Sequence, residues 1–218
     1  MTQPAILSEA LRYVGITNPD PETETRARRM MALAREKCPP RHVLRVFDLS
    51  WADGVPTLAS IPLPGNTARL MLDGCTRAAL LVCTLGAAFE REVEALRHRD
   101  AADMLLFDAC GSALVEQGCD DATCILQNTL PGVYLTDRFS PGYGDLPLTL
   151  QQPILAAADA TRRLAVTANV SSLLIPQKTV TAIIGLADTP RPARVRGCAY
   201  CVLRGTCPYR VQGTTCQI

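Results

Sequence analysis

The chain has 218 residues, of which 48% are hydrophobic and 20% charged, and a formal net charge of +1. It is long enough to bury one large core or two small ones without disulfide staples. A balance this close to neutral excludes general nucleic-acid binding.

The first clear element is a helix beginning at Asp20. In "DPETETRARRMMALAREKC", Asp20 stands as N-cap and Pro21 at the first helical position. Glu22 and Glu24 fall in its first turn and Arg35 and Lys37 in its last, which suits the helix dipole. Ala27, Met30, Met31, Ala34 and Cys38 form its apolar stripe, and Pro39 and Pro40 end it. "HVLRVFDLS" and "VPTLASIPL" read as strands joined through an Asp53-Gly54 turn. A short helix from Asn66 to Leu72, a buried strand "AALLVCTLG" and a charged amphipathic helix from Ala87 to Arg99 follow.

A long helix covers Ala102 to Asn128, with Gly118 as a point of weakening. "GVYLTDRF" reads as a strand, "LQQPILAAADATRRLAV" as mostly helical, and "KTVTAIIGLAD" as a final buried strand. Strands and helices mix without the alternation of a doubly wound sheet, so the expected class is α+β: a mixed, largely antiparallel sheet with flanking helices. Composition shifts at "DTPRPARVRG", dividing the chain into a domain over 1–188 and a tail over 189–218.

"MTQPAILSEALRYVG" lacks the basic and apolar regions of a secretory signal, and the longest apolar run, Ala78 to Phe89, is short for a bilayer span. The expectation is a cytoplasmic protein with no membrane partner. Cytosolic thiols are kept reduced, so the 10 cysteines are read as buried, reactive or metal-bound. Cys38, Cys75, Cys83, Cys110, Cys119 and Cys124 lack ligand-like spacing and are assigned to packing. His42 and His98 have no cysteine or carboxylate cluster beside them and take ordinary roles. The adjacent pair Asp120-Asp121 is read as solvated.

Two segments carry chemistry. In the tail, Cys198, Cys201, Cys207 and Cys216 are spaced C-x2-C-x5-C-x8-C, a set of thiolates able to hold an iron–sulfur cluster of the 4Fe-4S type. Structural zinc is the rival, although zinc sites more often pair two C-x2-C knuckles, and a tail without metal is the third reading. Arg191, Arg194, Arg196, Arg204 and Arg210, with no acid among them, would offset an anionic cluster, or form a solvated basic tail. The other segment is "DRFSPGYGDLP", where an arginine at a strand end precedes a Pro-Gly turn, a tyrosine and a further glycine. Arginine supplies a planar fork for a carboxylate, and glycine lets backbone approach a ligand.

"RFSPGYGDLPLT", followed by "LLIPQKTVTAIIGLAD", resembles the S-adenosylmethionine-binding activation domain of cobalamin-dependent methionine synthase. That family carries an R-x-(A/S)-P-G-Y loop and a later Pro-x-x-(S/T)-V-(S/T) strand. The resemblance extends from about residue 40 to residue 188, its specific motifs lying in the last third. It implies that Arg138 holds the methionyl carboxylate and that Ser140, Gly142 and Tyr143 line the ligand through backbone and ring contacts. Ile183 and Ile184 stand where the family strand continues into aromatic residues. The chain lacks the family's D-x-H-x-x-G cobalt-ligating stretch, so cobalamin would sit on a partner. The implied role is a free-standing activation component of a corrinoid-binding methyltransferase or methionine synthase subunit. A low-potential donor, flavodoxin or ferredoxin, would supply an electron and the cysteine tail would relay it. The alternative is a scaffold subunit with a structural zinc tail that binds no S-adenosylmethionine.

Overall fold

The computed structural model describes residues 3–190, 205–211 and 213. Its centre is an antiparallel sheet of β1 (Arg41–Ala52), β2 (Val55–Leu58), β3 (Ile61–Pro62), β4 (Arg77–Thr84), β5 (Tyr134–Leu135) and β8 (Thr179–Ala187), in the order β3-β2-β1-β4-β8-β5. A separate two-strand ribbon pairs β6 (Thr167–Ala168) with β7 (Leu174–Ile175). On one face of the sheet pack α1 (Gln3–Tyr13), α2 (Pro21–Lys37), α4 (Ala87–Arg97) and α5 (Ala101–Thr129). The other face carries α3 (Asn66–Leu72), α6 (Gln151–Ala158) and α7 (Ala160–Leu164). A last turn of helix, α8, runs over Pro208–Val211. The α+β class and the antiparallel sheet agree with the sequence reading.

Helices on both faces explain the composition of the central strands. β4 is buried from Ala78 to Thr84 and β8 from Thr181 to Ala187, so both read as continuous apolar runs rather than alternating ones. Adjacent residues on β8 enter different cores: Ile184 joins the one under α2 and α5, and Ile183 the one under α3 and α6.

Local chemistry sets the ends of the elements. Asp20 caps α2 by accepting from the Thr23 amide at 2.7 Å, and Asp100 caps α5 from the amides of Ala102 and Asp103 at 2.9 and 3.1 Å. Asp53 and Gly54 turn β1 into β2, both with positive φ, as a two-residue hairpin requires. A second left-handed pair, Ala59 and Ser60, splits the expected strand over 55–63 into β2 and β3. The helix over 151–165 is likewise interrupted, at Asp159 with φ 57°.

α5 runs unbroken through Gly118, against the expected weakening. Packing supplies the reason, since a Cβ on Gly118 would lie 2.6 Å from Pro40 Cβ and 2.8 Å from Cys83 Sγ. Only glycine lets α5 settle this close to the sheet. Gly111, two turns earlier, rests against the ring of Phe89, which stacks on Phe107 with centroids 4.7 Å apart.

Candidate functional site

Beyond β5 the chain follows the edge of β8 in an irregular way that decides the site. Leu135 pairs with Leu186, and Thr136 with Gly185, but Phe139 pairs with Ile183. The register therefore slips by one residue across Asp137 and Arg138. Such a bulge leaves one residue unpaired and re-aims its neighbours. Here Phe139 turns into the core beneath α3, and Arg138 turns to α5. The single long strand expected over 132–139 is thus a two-residue strand, a bulge and an isolated bridge.

After Phe139 the loop is pinned back on β8. Ser140 Oγ donates to the carbonyl of Thr181 at 2.6 Å. The Tyr143 amide donates to the Ser140 carbonyl at 2.9 Å, and the Gly142 amide to that of Leu146 at 2.8 Å. Gly142 has φ 91°, a conformation closed to most side chains. The far end of the loop is anchored by Asp145, whose carboxylate accepts from the amides of Asn66 and Thr67 at the start of α3. Those backbone hydrogen bonds pull its pKa down to about 2.

Between this loop, α5, α3 and the open edge of β8 lies a cavity of about 580 Å³. That volume falls in the roughly 300–1,000 Å³ range of small-molecule sites. Arg138, Ser140 and Tyr143 line it. Gly142 does not line it and instead makes the turn that presents Tyr143, whose side chain is exposed. From β8 the wall is formed by Val180 and Ala182, whereas Ile183 and Ile184 are fully buried and do not reach the cavity. The aromatic positions that differ from the family pattern thus lie outside its wall.

α5 contributes the polar wall: Glu116, Asp120, Thr123, Cys124, Gln127 and Asn128. Arg138 donates to Asp120 at 2.7 Å, to Glu116 at 3.2 Å and to Thr123 Oγ1 at 3.3 Å. Burial works against its charge, but the Asp120 hydrogen bond and the surrounding negative groups outweigh it and hold its pKa above the usual value. Behind Asp120, the sulfur of Cys83 and burial raise the Cys119 thiol, which stays protonated. Tyr13 is shifted up to about 12 by burial, by a hydrogen bond with Glu9 and by the charge of Glu116.

Two sequence assignments change here. Asp120 is an ion-pair partner of Arg138 rather than a solvated acid, while Asp121 is exposed. Cys124 is exposed and lines the cavity, unlike Cys38, Cys75, Cys83, Cys110 and Cys119, which are buried as expected. The polar positions 116, 120, 123 and 127 recur every three or four residues and so share one face of α5, and that stripe is the signal that would have found them.

Of the tail cysteines, Cys198, Cys201 and Cys216 lie outside the described residues. Cys207 is described, is half-buried, and is bonded to no other cysteine among the described residues. Among the described residues, no group of three or more His, Cys, Asp or Glu side chains could hold a metal. No described helix is long and apolar enough to cross a membrane.

No family model matches the sequence, and no curated protein matches it. A solved structure described as the MetH reactivation domain bound to AdoHcy is similar, with a TM-score of 0.55 and 14% identity over 98% of this chain and 78% of that one. The chain has the fold of that domain.

Proposed function

We propose that this protein is a reactivation component for a corrinoid-dependent methyltransferase, with the cavity under the loop over 138–143 as its S-adenosylmethionine site. The observation that carries the reading is Arg138, set by a bulge at the wall of a cavity made from the motif loop, within the fold of a reactivation domain whose solved relative holds AdoHcy.

The residues fit such a ligand. An amino-acid head carries a carboxylate for the Arg138 fork and an ammonium for Glu116 or Asp120, so it can exchange partners with an existing ion pair rather than break it. Met71, Leu135 and Tyr143 offer apolar and aromatic surface for the adenosyl part. Thr123, Gln127 and Asn128 offer hydroxyl and amide groups to sugar hydroxyls. The chain's task is to hold the sulfonium methyl at the cavity mouth, facing a reduced corrinoid on the partner protein. Cobalt in the Co(II) state first gains one electron. The resulting Co(I) pair then attacks the methyl carbon, and S-adenosylhomocysteine leaves.

In this reading the division at residue 188 is functional: the domain over 1–188 binds the methyl donor and the tail over 189–218 serves electron delivery. Cys198, Cys201, Cys207 and Cys216 would ligate an iron–sulfur cluster, which supplies one-electron chemistry at low potential.

Calorimetric titration of anaerobically prepared protein with S-adenosylmethionine is the direct test. Micromolar binding is the expected result, and no heat at millimolar ligand removes the methyl-donor half of the proposal. Iron and sulfide analysis of the same sample tests the tail separately. Zinc without sulfide would remove the electron relay.

A further inference from the structure

We infer that the cavity selects its ligand by charge, favouring the sulfonium of S-adenosylmethionine over the neutral thioether of S-adenosylhomocysteine, so that methyl transfer itself loosens the product. The inference rests on the reading of the cavity as an S-adenosyl site. Its basis is an imbalance of charge. Among the described residues lining the cavity, Arg138 is the sole cation of the Lys, Arg and His type, and the two carboxylates of Glu116 and Asp120 share it.

An amino-acid head does not correct that imbalance. Its carboxylate takes Arg138 and its ammonium takes one α5 carboxylate, and the head itself is neutral overall. The wall keeps its surplus negative charge unless the rest of the ligand is cationic. A sulfonium supplies the missing charge. In the transfer step the nucleophile's electron pair forms the new bond to the methyl carbon. The old carbon–sulfur pair stays on sulfur, which becomes neutral, and the ligand's net charge falls by one while the wall is unchanged. The side chains of Glu116 and Asp120 are less than half exposed, so the local dielectric lies between interior and water. A unit charge about 6 Å away at an effective dielectric of about 40 changes affinity about tenfold.

The test is calorimetry on the full chain with S-adenosylmethionine, S-adenosylhomocysteine and sinefungin, which carries an amine in place of the sulfonium and has no methyl to transfer. At low salt, S-adenosylmethionine and sinefungin should each bind about tenfold more tightly than S-adenosylhomocysteine. The gap should shrink to about twofold in 0.5 M sodium chloride, and Glu116→Gln should shrink it without added salt. Should that variant fail to fold, the salt series on the unmodified protein carries the test alone. Equal affinity of the methyl donor and its product would overturn charge selection while leaving the S-adenosyl site standing. Sinefungin binding as weakly as the thioether would overturn it too, by assigning preference to methyl contact. Absence of binding by all three would remove the underlying site reading and this inference with it.

Discussion

Ser140 donates its hydroxyl to the carbonyl of Thr181 at 2.6 Å, and this bond ties the loop over 138–143 to an edge of β8 that β5 no longer covers. The Thr181 side chain is held as well, its Oγ1 donating to Gln151 Oε1 at 2.6 Å on α6. Replacing Ser140 with alanine removes the loop's partner while leaving the carbonyl in place. An unmet buried acceptor costs about 1–3 kcal/mol, so Ser140→Ala should lower the urea midpoint and weaken S-adenosylmethionine binding together. Unchanged ligand affinity in a destabilised variant would show that the pin serves the fold alone.

Arg138→Ala should weaken S-adenosylmethionine binding by about 2–4 kcal/mol, the scale for removing one partner of a desolvated charge pair. Folding should suffer less, because the side chains of Glu116 and Asp120 keep 43% and 44% of their exposure and can turn to water. Arg138→Lys should recover only part of the affinity, since an ammonium cannot make the planar two-pronged contact. Calorimetry with both variants decides it. Full affinity in the lysine variant would argue against a forked contact.

Gly111→Ala tests the seating of α5. Helix propensity alone favours alanine by about 1 kcal/mol. The new Cβ would overlap the Phe89 ring, and overpacking of a filled core costs about 1–3 kcal/mol. Sterics should win, giving net destabilisation in chemical denaturation. A stabilised variant would mean that Phe89 has room to move.

Acid should loosen the loop through Asp145. Backbone hydrogen bonds from α3 depress its folded pKa to about 2 from an ordinary 3.8. Stability contributed by a depressed carboxyl is complete above its unfolded value and is lost as pH falls through the folded one. The contribution should therefore fade between about pH 4 and pH 2. Asp20 and Asp100, lowered chiefly by the backbone amides they cap, act in the same direction. Comparing acid unfolding of Asp145→Ala with the unmodified chain isolates its share: the curves should keep a constant separation above about pH 4 and converge toward about pH 2. A separation that persists unchanged down to about pH 2 would contradict the assignment.

On the iron–sulfur reading of the tail, changing Cys198 and Cys201 to serine together should abolish a visible chromophore and electron transfer to Co(II), with S-adenosylmethionine affinity nearly intact. A structural metal would behave differently, its loss lowering thermal stability and every activity at once, because metal-binding energy then contributes to folding. Reactivation of a corrinoid partner at the unmodified rate by the double variant would exclude the tail as electron relay.

The sequence alone determined most of the elements, because their signals are local. Asp20, Pro21 and the apolar stripe over Ala27, Met30, Met31 and Ala34 define α2, and Asp53-Gly54 defines a hairpin turn. The motif loop was also legible, since its glycines and arginine are fixed by a short stretch of chain. One local signal was passed over: Ile6, Leu7, Ala10 and Leu11 recur at helical spacing and are buried in α1.

Tertiary structure decided what Arg138 faces. Its direction depends on a one-residue bulge closed by the Phe139–Ile183 bridge, a pairing between segments more than forty positions apart that no local pattern encodes. Its partners, Glu116 and Asp120, lie on a helix whose approach to the sheet is set by Gly118 against Pro40 and Cys83. Gly118 therefore read as a weak point when it is a contact. A carboxylate at position 120 is the same residue in sequence whether it meets water or a guanidinium. Only packing brings the guanidinium to it, because the energy of an ion pair depends on a separation that the order of residues does not contain.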